Sequence, residues 1–553
     1  MSKHVVLRSP HGRPGVHTIV HSSTLRLMRS TVFLHLALPF AAASSIVVHC
    51  SAVRKTCMTV TDPGADWTAK ASYNETVEAI GWGTLDVTTN ADENDDDQAF
   101  AAGFAESALT WERTSQHHHT FMEATFANDS KSYDAATQFV LANDQWVLEQ
   151  LKAPPGGDEQ SEWWNQLSLI WAQLDGLIAG HAAYEHSAHI TALTRLDFLL
   201  LNAVVDLSSV IHKPFLEHEW TPERAAAYTR RSTHCSALVK ILPDFSDLLT
   251  SHNTWTAYYM MLRVAKRYTL PYKKALAASF VTSGYFGTLS STDDFSVLSS
   301  GLVVQETTNA LYNDTLALAI VPQAVLTWAR SLVANRLATG GETWVKNFVY
   351  MNSGTINNQW MVVDYNLFSP GKVLPANVLW VVEQLPLYTQ AADVTAHLVN
   401  GHWPSYNCPF FPEVYARSGQ AMMAAKFGDQ YTYQLYSRAK IFRRDAGAVH
   451  GRDAMKAIMR YNDWQHDSYA LNDPGTSIAS RSDLQEGGLP CCADGNIDAK
   501  LVGFEDVKAV RFEGVSGPTH DQQPVFEWTE AYSGTPHYGQ PNRFAFGWTM
   551  LFG

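Results

Sequence analysis

The chain has 553 residues, 46% of them hydrophobic and 12% aromatic, so most of it must fold around more apolar material than one usual core holds. Its formal net charge of −14 argues against a nucleic-acid-binding protein and against a basic surface that attaches to anionic lipid. Any lipid substrate would therefore be bound by shape and apolar contact.

Residues 1–45 predict a secretory signal, with its exact end left open. Arg26 and Arg29 precede an apolar run at 31–40 and small residues at 41–45, which is the order of a signal peptide and its cleavage site. The apolar run is short for a membrane span and contains a histidine and a proline, so we favour a cleaved signal over an anchor. No stable membrane anchor is expected elsewhere in the sequence.

Three acceptor triplets for N-glycosylation agree with a secretory route. They begin at Asn74, Asn128 and Asn313. Each triplet has a threonine or serine two residues after the asparagine, a pattern that also arises by chance. The triplets therefore support the signal without proving it.

The six cysteines are few for a scaffold held by disulfides. Cys50 lies just after the predicted signal and can be removed with it when the signal is cleaved. Cys491 and Cys492 are adjacent, and a bond between neighbours would be strained, so we expect them to be free or paired elsewhere.

The amino-terminal part of the chain predicts one strand followed by helices. The strand is expected at 82–87, and apolar residues recur at helical spacing over 98–110, 163–178 and 193–210.

Two polar runs lie in this amino-terminal region. The acidic run 91–97 lacks the glycine and distal glutamate of a calcium loop, so it predicts an exposed acidic loop. The run His117-His118-His119 cannot face one ion and predicts a solvent-exposed turn.

Cys235 begins the segment in which chemistry is easiest to recognise. A thiol attacks as its thiolate, and a lone cysteine with a histidine elsewhere is a candidate catalytic pair. The residues after Cys235 predict a strand, 243–244 a turn and 246–250 the returning strand of a hairpin. Apolar residues over 255–265 recur at helical spacing, which would place His252 just ahead of a helix, where an anion is stabilised.

The same residues also have ordinary structural interpretations. Taken alone, Cys235 is more often a small core residue than a nucleophile. His252 with its two successors is typical of a turn and a helix cap. Asn407 could cap a loop, and Arg438 could be a surface cation. Local patterns alone therefore do not decide between structure and catalysis.

Strands and helices alternate downstream of the cysteine, which fits a layered α and β domain. Strands are predicted at 295–298, 302–307, 360–365 and 378–384, and helices at 324–337 and 454–461. The run 514–518 departs from a serine-esterase elbow because Pro518 replaces the last glycine, and no papain-like signature surrounds the cysteine. A serine lipase and a papain-like protease are therefore disfavoured.

Ordered sequence blocks carry a family resemblance. Cys-Ser-Ala-Leu-Val-Lys at 235–240 is followed by His-Asn-Thr-Trp at 252–255, Glu-Thr-Thr at 306–308, Asn-Ser-Gly-Thr-Ile-Asn-Asn-Gln-Trp at 352–360 and Ser-Tyr-Asn at 405–407. In this order they resemble the phospholipase B-like proteins, which are lysosomal or secreted N-terminal nucleophile hydrolases. The resemblance runs weakly from about residue 82 and strongly from Cys235 to the end.

The resemblance implies an α+β fold, the four-layer αββα sandwich of that superfamily, and a precursor that cuts itself. His234–Cys235 would be the scissile bond, dividing one fold into an amino-terminal fragment, 46–234, and a carboxy-terminal fragment, 235–553. The thiol would attack the His234 carbonyl, an N-to-S acyl shift would give a thioester, and water would release the α-amine. That amine has a pKa of ~7.7 to 8.0 and would serve as the base for its own thiol.

The family's pocket also maps onto this chain. The resemblance implies as catalytic residues Cys235, His252, Asn407 and Arg438, and as substrate-pocket residues Trp255 and Thr308. Asn407 and a backbone N–H would be oxyanion donors, while His252 and Arg438 would hold the thiolate, amine or substrate carbonyl in place. No metal or cofactor is implied. The family's usual cysteine pair would fall between residues 471 and 480, where this chain has none.

Three functions remain open. The favoured one is a phospholipase B-like hydrolase that removes fatty acyl groups from phospholipids in an acidic compartment, lysosomal or secreted. The second is an N-acyl amide hydrolase, since amides and esters both pass through an acyl-enzyme. The third is a non-catalytic secreted glycoprotein that binds lipid or sugar. The oligomeric state stays open.

Overall fold

Two large β-sheets organise the part of the chain that the structure, a computed structural model, describes. The described residues are 43–62, 65–184, 192–211, 220–232, 234–399, 401–485 and 493–553. The strands are β1 (Ala43–Ser51), β2 (Thr56–Thr59), β3 (Ala69–Asn74), β4 (Trp82–Thr89), β5 (Ser236–Ile241), β6 (Leu248–Asn253), β7 (Trp255–Ala257), β8 (Arg263–Thr269), β9 (Ser279–Tyr285), β10 (Ser296–Leu298), β11 (Leu302–Thr308), β12 (Asn358–Asp364), β13 (Leu379–Leu385), β14 (Tyr388–Asp393), β15 (His402–Ser405), β16 (Asp494–Asn496), β17 (Asp498–Val502), β18 (Phe512–Ser516), β19 (Phe526–Glu527), β20 (Arg543–Phe544) and β21 (Thr549–Leu551).

The larger sheet has 11 strands in the order β14-β13-β12-β11-β10-β9-β8-β4-β3-β1-β2. Its pairings are antiparallel except that of β4 with β8, which is parallel and runs from Trp82 opposite Arg263 to Thr88 opposite Thr269. This pairing joins strands before and after Cys235 in one sheet. Strands β11 and β12 are buried along their whole length, although Gln305 to Thr308 of β11 and the two ends of β12 are polar.

The smaller sheet has six strands in the order β15-β5-β6-β17-β18-β21. Strands β5 and β6 form the hairpin that the sequence predicts after Cys235. Its register places Ala237 opposite His252 and Ser236 opposite Asn253. The hairpin therefore brings the residues after Cys235 alongside His252 and Asn253.

The helices are α1 (Val77–Ile80), α2 (Asp95–Phe126), α3 (Ser130–Lys152), α4 (Gly157–Ala182), α5 (Arg195–Asn202), α6 (Val204–Ile211), α7 (Pro222–Ser232), α8 (Asp314–Ala317), α9 (Thr327–Leu337), α10 (Gly341–Val349), α11 (Thr395–Leu398), α12 (Pro412–Arg417), α13 (Gln420–Phe427), α14 (Ser437–Asp445), α15 (Arg452–Met459) and α16 (Phe504–Lys508). Helices α2 and α4 pack so closely that a Cβ at Gly103 would lie 1.9 Å from the Gln173 carbonyl oxygen. Glycine is therefore required at that crossing. In the described part of the chain, no helix combines the length and apolarity that a membrane crossing requires.

Buried side chains show how the sheets and helices stack. Val239 of β5 and Val281 of β9 belong to one core cluster, so the two sheets pack face to face. The opposite face of the larger sheet packs against helices that include α2 and α10. The opposite face of the smaller sheet packs against α14 and α15. The architecture is the mixed α and β class that the sequence predicts.

Most predicted elements are present with shifted ends. The strand at 82–87 is β4, and the helices at 98–110 and 163–178 lie inside α2 and α4. The region 193–210 forms two helices, α5 and α6, instead of one. The strands and helices predicted downstream of the cysteine correspond to β10, β11, β12, β13, α9 and α15.

The helix predicted after His252 is wrong. His252 lies inside β6, and the following residues form β7, one 3-10 turn at Tyr258–Met260 and then β8. Trp255, Tyr258 and Leu262 are buried, whereas Thr256, Ala257 and Tyr259 are partly exposed. A strand and a short turn can therefore bury residues at helical spacing without forming an α-helix.

The prediction of an exposed turn at 117–119 is also wrong, because these histidines lie in α2. His117 is buried and its ring stacks on Tyr285 at 5.5 Å. Burial lowers the pKa of His117 to about 3, so the ring stays neutral. Of the acidic run, Asp95 to Asp97 form the first turn of α2, where negative charge is favourable.

Cys50 forms a disulfide with Cys57 across the β1–β2 pair, which the cysteine count did not reveal. Cys235 and Cys408 are the free cysteines of the described residues. Cys491, Cys492 and the signal segment up to residue 42 lie outside the described part of the chain, and β1 begins at Ala43.

Candidate active site

Cys235 lies immediately before β5, with 2% of its surface exposed. Its backbone has φ 82, a left-handed conformation that a cysteine rarely adopts. The side chain of Asn253 holds the residue after Cys235 and the indole of Trp255. Its Oδ1 accepts from the Ser236 backbone N–H at 3.0 Å and from the Trp255 indole N–H at 3.1 Å. The start of the hairpin is therefore held rigidly around the thiol.

The carbonyl oxygen of His234 accepts two hydrogen bonds. The Thr308 backbone N–H donates at 3.2 Å, and the Asn407 side-chain amide is the second donor. Thr308 is the last residue of β11, whereas Asn407 follows β15 and has φ 66, a conformation that asparagine tolerates. Elements of both sheets therefore place donors on the carbonyl that precedes Cys235.

Arg438 of α14 is fully buried and braces the same groups. Its guanidinium donates to the Cys235 carbonyl oxygen at 2.7 Å and to the Asn407 Oδ1. The guanidinium also lies 4.2 Å from the centre of the Trp255 ring, a cation–π contact. Arg438 thus fixes the orientation of the Asn407 amide, so that its N–H groups face His234.

His252 is fully buried, and its Nε2 lies 2.8 Å from the backbone carbonyl oxygen of Glu306. A carbonyl oxygen only accepts, so Nε2 carries the proton and Nδ1 carries a lone pair. Among the described residues, Nδ1 has no hydrogen-bond partner. Burial lowers the pKa of His252 well below its ordinary value, and Lys500 acts in the same direction. The ring is therefore a neutral base with one free nitrogen.

Cys235, His252 and Glu306, which we call the nucleophile cluster, offer one sulfur, one nitrogen and one carboxylate oxygen within 4.8 Å of one another. Burial raises the pKa of the Cys235 thiol well above its ordinary value, and Glu306 acts in the same direction. Burial also raises the pKa of Glu306, as do the neighbouring carboxyls of Asp294 and Asp293. The uncut chain therefore holds a neutral thiol beside a neutral acid.

A second set of buried groups, the ion-pair network, lies beside the nucleophile cluster. Arg263 contacts Asp293 at 2.7 Å and Asp498 at 2.8 Å. Lys500 contacts Asp293 at 3.0 Å and Asp498 at 2.7 Å. Although burial raises the pKa of Asp293, Arg263 and Lys500 hold it below its ordinary value. The network joins β8 of the larger sheet to β17 of the smaller one and sets the electric field around His252.

A cavity opens next to His234. Its lining includes His234, Thr308, Leu311, Ile320 and Ile356, together with polar residues such as Ser208 and Asn309. A second cavity lies around Asp294 and Trp360. Neither lining includes Cys235, His252 or Glu306, but the first cavity adjoins the residue that precedes Cys235.

All six residues that the resemblance implies come together around the His234–Cys235 bond. Sequence reasoning missed Glu306, Asn253, Asp293 and Lys500. Glu306 stands in the Glu-Thr-Thr block and Asn253 in the His-Asn-Thr-Trp block, so those blocks offered a signal for both. Lys500 comes from β17 and carries no motif.

The three glycosylation triplets lie in different settings. Asn74 and Asn128 are exposed, whereas Asn313 is partly buried. The Asn313 side chain donates to the Arg417 carbonyl oxygen at 2.9 Å and caps α8 through its oxygen. A glycan is therefore accommodated more easily at Asn74 and Asn128 than at Asn313.

Comparison with known proteins gives one consistent result. The family model described as Phospholipase B matches residues 69–551. Phospholipase B-like protein C of Dictyostelium discoideum is 37% identical over 497 residues, covering 87% of each chain. Phospholipase B-like 1 of Bos taurus is 35% identical over 487 residues, covering 87% of each. Phospholipase B of Crotalus adamanteus is 33% identical over 495 residues, again covering 87% of each.

Proposed function

The chain belongs to the phospholipase B-like family, and we propose that it is a self-processing cysteine hydrolase that removes fatty acyl groups from phospholipids. One observation carries this proposal: two N–H donors hold the His234 carbonyl oxygen next to a buried thiol with an available base. The proposal includes the four-layer αββα fold. Its support is the shared core of the two sheets, with helices packed on the outer face of each.

The first step is attack on the chain itself. The Cys235 sulfur adds to the His234 carbonyl carbon, and negative charge grows on the oxygen. The Thr308 backbone N–H and the Asn407 amide are already hydrogen-bonded to that oxygen. Donors placed in this way are worth about 2.7 to 4 kcal/mol each to a transition state.

The thiol must lose its proton before it attacks, and in the uncut chain the α-amine is still part of a peptide bond. His252 is the base at this stage, because its Nδ1 is free and the ring is neutral. The proton passes from the sulfur to His252 and then to the Cys235 nitrogen as the C–N bond breaks. Water hydrolyses the resulting thioester and leaves a His234 carboxylate and a free Cys235 amine.

Backbone strain favours the same bond cleavage. A non-glycine residue in the left-handed region costs on the order of 1–3 kcal/mol, and Cys235 has φ 82. The angle φ of residue 235 is defined by the peptide bond to residue 234. Cutting that bond removes the constraint, so the strain is released in the direction of the reaction.

Turnover then reuses the site. The new amine is the base for the thiol, and the substrate's acyl carbonyl occupies the place of the His234 carbonyl. Leu311, Ile320 and Ile356 line the adjoining cavity and contact the acyl chain. The thiolate attacks the acyl carbonyl, the C–O bond breaks, and the alcohol leaves with the proton that the amine took from the thiol. Water then hydrolyses the thioester on Cys235, which releases the fatty acid and restores the thiol.

An N-acyl amide is the second candidate substrate. The observation that favours it is that the bond held in the site of the uncut chain is itself an amide. Purified protein assayed with phosphatidylcholine and with N-acyl amides separates the two. A substrate preference for amides of at least tenfold would assign the amide reaction.

We also propose a secretory route, with removal of the signal and a lysosomal or secreted destination. The exposed acceptors Asn74 and Asn128 support it. Enzymatic deglycosylation followed by mass spectrometry tests the glycans, and an unglycosylated secreted product would contradict that part of the proposal.

The test of the mechanism is to sequence the amino termini of the purified protein. Wild type should give a fragment that begins at Cys235, whereas Cys235→Ala should stay uncut and inactive. Cys408→Ala is the matched control, because Cys408 is the other free buried cysteine in the part of the chain that the structure describes. It should cut as wild type does. Lipid or amide turnover that persists in Cys235→Ala would overturn the assignment.

A further inference from the structure

We propose that the nucleophile cluster is also a binding site for one Zn²⁺ ion, held by the Cys235 sulfur, the His252 Nδ1 and the Glu306 carboxylate. The ion is not a cofactor for hydrolysis. It occupies the nucleophile and thereby blocks it. That consequence rests on the proposed function, whereas the binding itself does not.

The geometry of the three ligands supports the site. The Cys235 sulfur, one ring nitrogen of His252 and one carboxylate oxygen of Glu306 lie within 4.8 Å of one another, and all three residues are buried. Zinc sites use thiolate, imidazole and carboxylate ligands at about 2.0–2.3 Å, so small side-chain adjustments bring the three donors onto one ion. Three protein ligands leave a fourth tetrahedral position for water.

The tautomer of His252 is the independent observation that points to a ligand. A histidine that binds a metal usually donates its other ring N–H to a backbone carbonyl or a carboxylate. His252 does this through Nε2, which donates to the Glu306 carbonyl oxygen at 2.8 Å. Its Nδ1 is buried and has no partner among the described residues. The ring is thus already oriented and protonated as in a metal site.

Charge balance favours a divalent ion in this position. Zn²⁺ bound by one thiolate, one carboxylate and a neutral imidazole has no net charge. A neutral assembly avoids leaving an unpaired charge between the sheets. The combination of sulfur, nitrogen and oxygen ligands suits zinc better than magnesium or calcium, which prefer oxygen alone.

The nucleophile cluster differs from the ion-pair network because its carboxylate has no protein cation paired with it among the described residues. In the network, Arg263 and Lys500 are paired with carboxylates, so a metal cation would have to displace one of them. In the nucleophile cluster, no lysine or arginine contacts the Glu306 carboxylate in an ion pair found among the described residues. A divalent cation can therefore enter the cluster without displacing a protein cation.

The test is a titration of the purified protein with Co²⁺, which takes the place of Zn²⁺ and gives a sulfur-to-cobalt absorption band. Wild type should show this band, and added Zn²⁺ should remove it. Cys235→Ala should show no band, and Glu306→Gln should bind more than about tenfold more weakly. Cys408→Ala should bind as wild type does. A band that depends on Cys408, or no band at all, would overturn the proposal.

X-ray absorption of the zinc-loaded wild-type protein keeps the test valid if a variant fails to fold. One sulfur ligand with nitrogen and oxygen ligands is expected, and no sulfur or two sulfurs would overturn the site.

The metal-binding proposal and the proposed function can fail separately, because the cobalt absorption band requires neither self-cleavage nor turnover. A protein that binds Co²⁺ through Cys235 but never cuts itself would refute the proposed function alone. A protein that cuts itself at an unchanged rate in saturating Zn²⁺ would refute the blocking role.

Discussion

Two carboxyl groups in the middle of this molecule are equally buried and behave in opposite ways. Burial raises the pKa of both Asp293 and Glu306. Asp293 contacts Arg263 and Lys500, which hold its pKa low, whereas Glu306 faces the carboxyls of Asp294 and Asp293, which raise its pKa further. The difference teaches that neighbours, not burial, decide which group stabilises the fold and which stays available for chemistry.

The same contrast holds for the two sets of residues as wholes. The ion-pair network balances its charges internally, so it should act as a brace between the sheets. The nucleophile cluster contains a thiol, a neutral acid and a ring nitrogen that has no hydrogen-bond partner among the described residues, which suits proton transfer. Substitutions in the first should therefore affect stability, and substitutions around the second should affect reaction rate.

The largest effect is expected from Lys500→Met in the ion-pair network. It leaves Asp293 and Asp498 to share Arg263, and breaking a buried ion pair from one side costs about 3–5 kcal/mol. The free energy of unfolding, measured by denaturant titration, should fall by that amount. A fall below about 1 kcal/mol would show that the network is not a brace.

Asn407→Asp tests the expectation that substitutions around the nucleophile cluster slow the reaction. Aspartate keeps the size of the side chain and tolerates the positive φ, but an ionised carboxylate cannot donate to the His234 carbonyl. Self-cleavage, followed on gels, should slow about 10²–10³-fold. The free energy of unfolding should also fall, because the carboxylate faces the carbonyl oxygens of His234 and Thr308. Asn377→Asp is the matched control, since Asn377 is an exposed asparagine with φ 69. Equal slowing in both variants would contradict the oxyanion role.

Glu383 tests whether a buried carboxyl without a cation behaves as Glu306 does. Burial raises the pKa of Glu383 from 4.5 to about 7, so the folded state favours the protonated form. Its contribution to stability is therefore full below the unfolded value and is lost as the pH rises through about 7, a total of about 3 kcal/mol. The decline in unfolding free energy between pH 4.5 and 7 should be shallower by that amount in Glu383→Gln. An unchanged slope would contradict the assignment.

The smallest effect is expected from Lys508→Met, the same substitution at the surface. Lys508 is 58% exposed and pairs with Glu505, which is 75% exposed, at 3.2 Å. Exposed pairs of this kind contribute within about 0.5 kcal/mol. Thermal melts of Lys508→Met and Lys500→Met, compared side by side, should differ clearly. Similar melting temperatures for the two variants would mean that burying an ion pair does not increase its contribution to stability.

The sequence predicted the hairpin after Cys235 and many of the strands, because turn residues and apolar runs mark them locally. It failed where a short strand and a turn bury residues at helical spacing. After His252 the apolar spacing imitates a helix, although β7 and β8 form there. The histidines at 117–119 looked polar and exposed, yet they lie in α2, where His117 stacks on Tyr285.

The candidate site was predictable to the extent that its residues stand in motifs. Cys235, His252 and Asn407 do, and the structure places them around one bond. Lys500 could not be found in this way, since it reaches the site only through the pairing of β17 with β6. The free nitrogen of His252 was equally out of reach, because the tautomer depends on a carbonyl 54 residues downstream.

The parallel pairing of β4 with β8 has a mechanical consequence for a chain that is nicked at residue 235. Its ladder runs from Trp82 opposite Arg263 to Thr88 opposite Thr269, so it crosses from one product polypeptide to the other. The two products would be interlocked through the middle of a sheet instead of touching at a surface. They should co-elute as one particle without any covalent link and come apart only when the whole assembly is denatured.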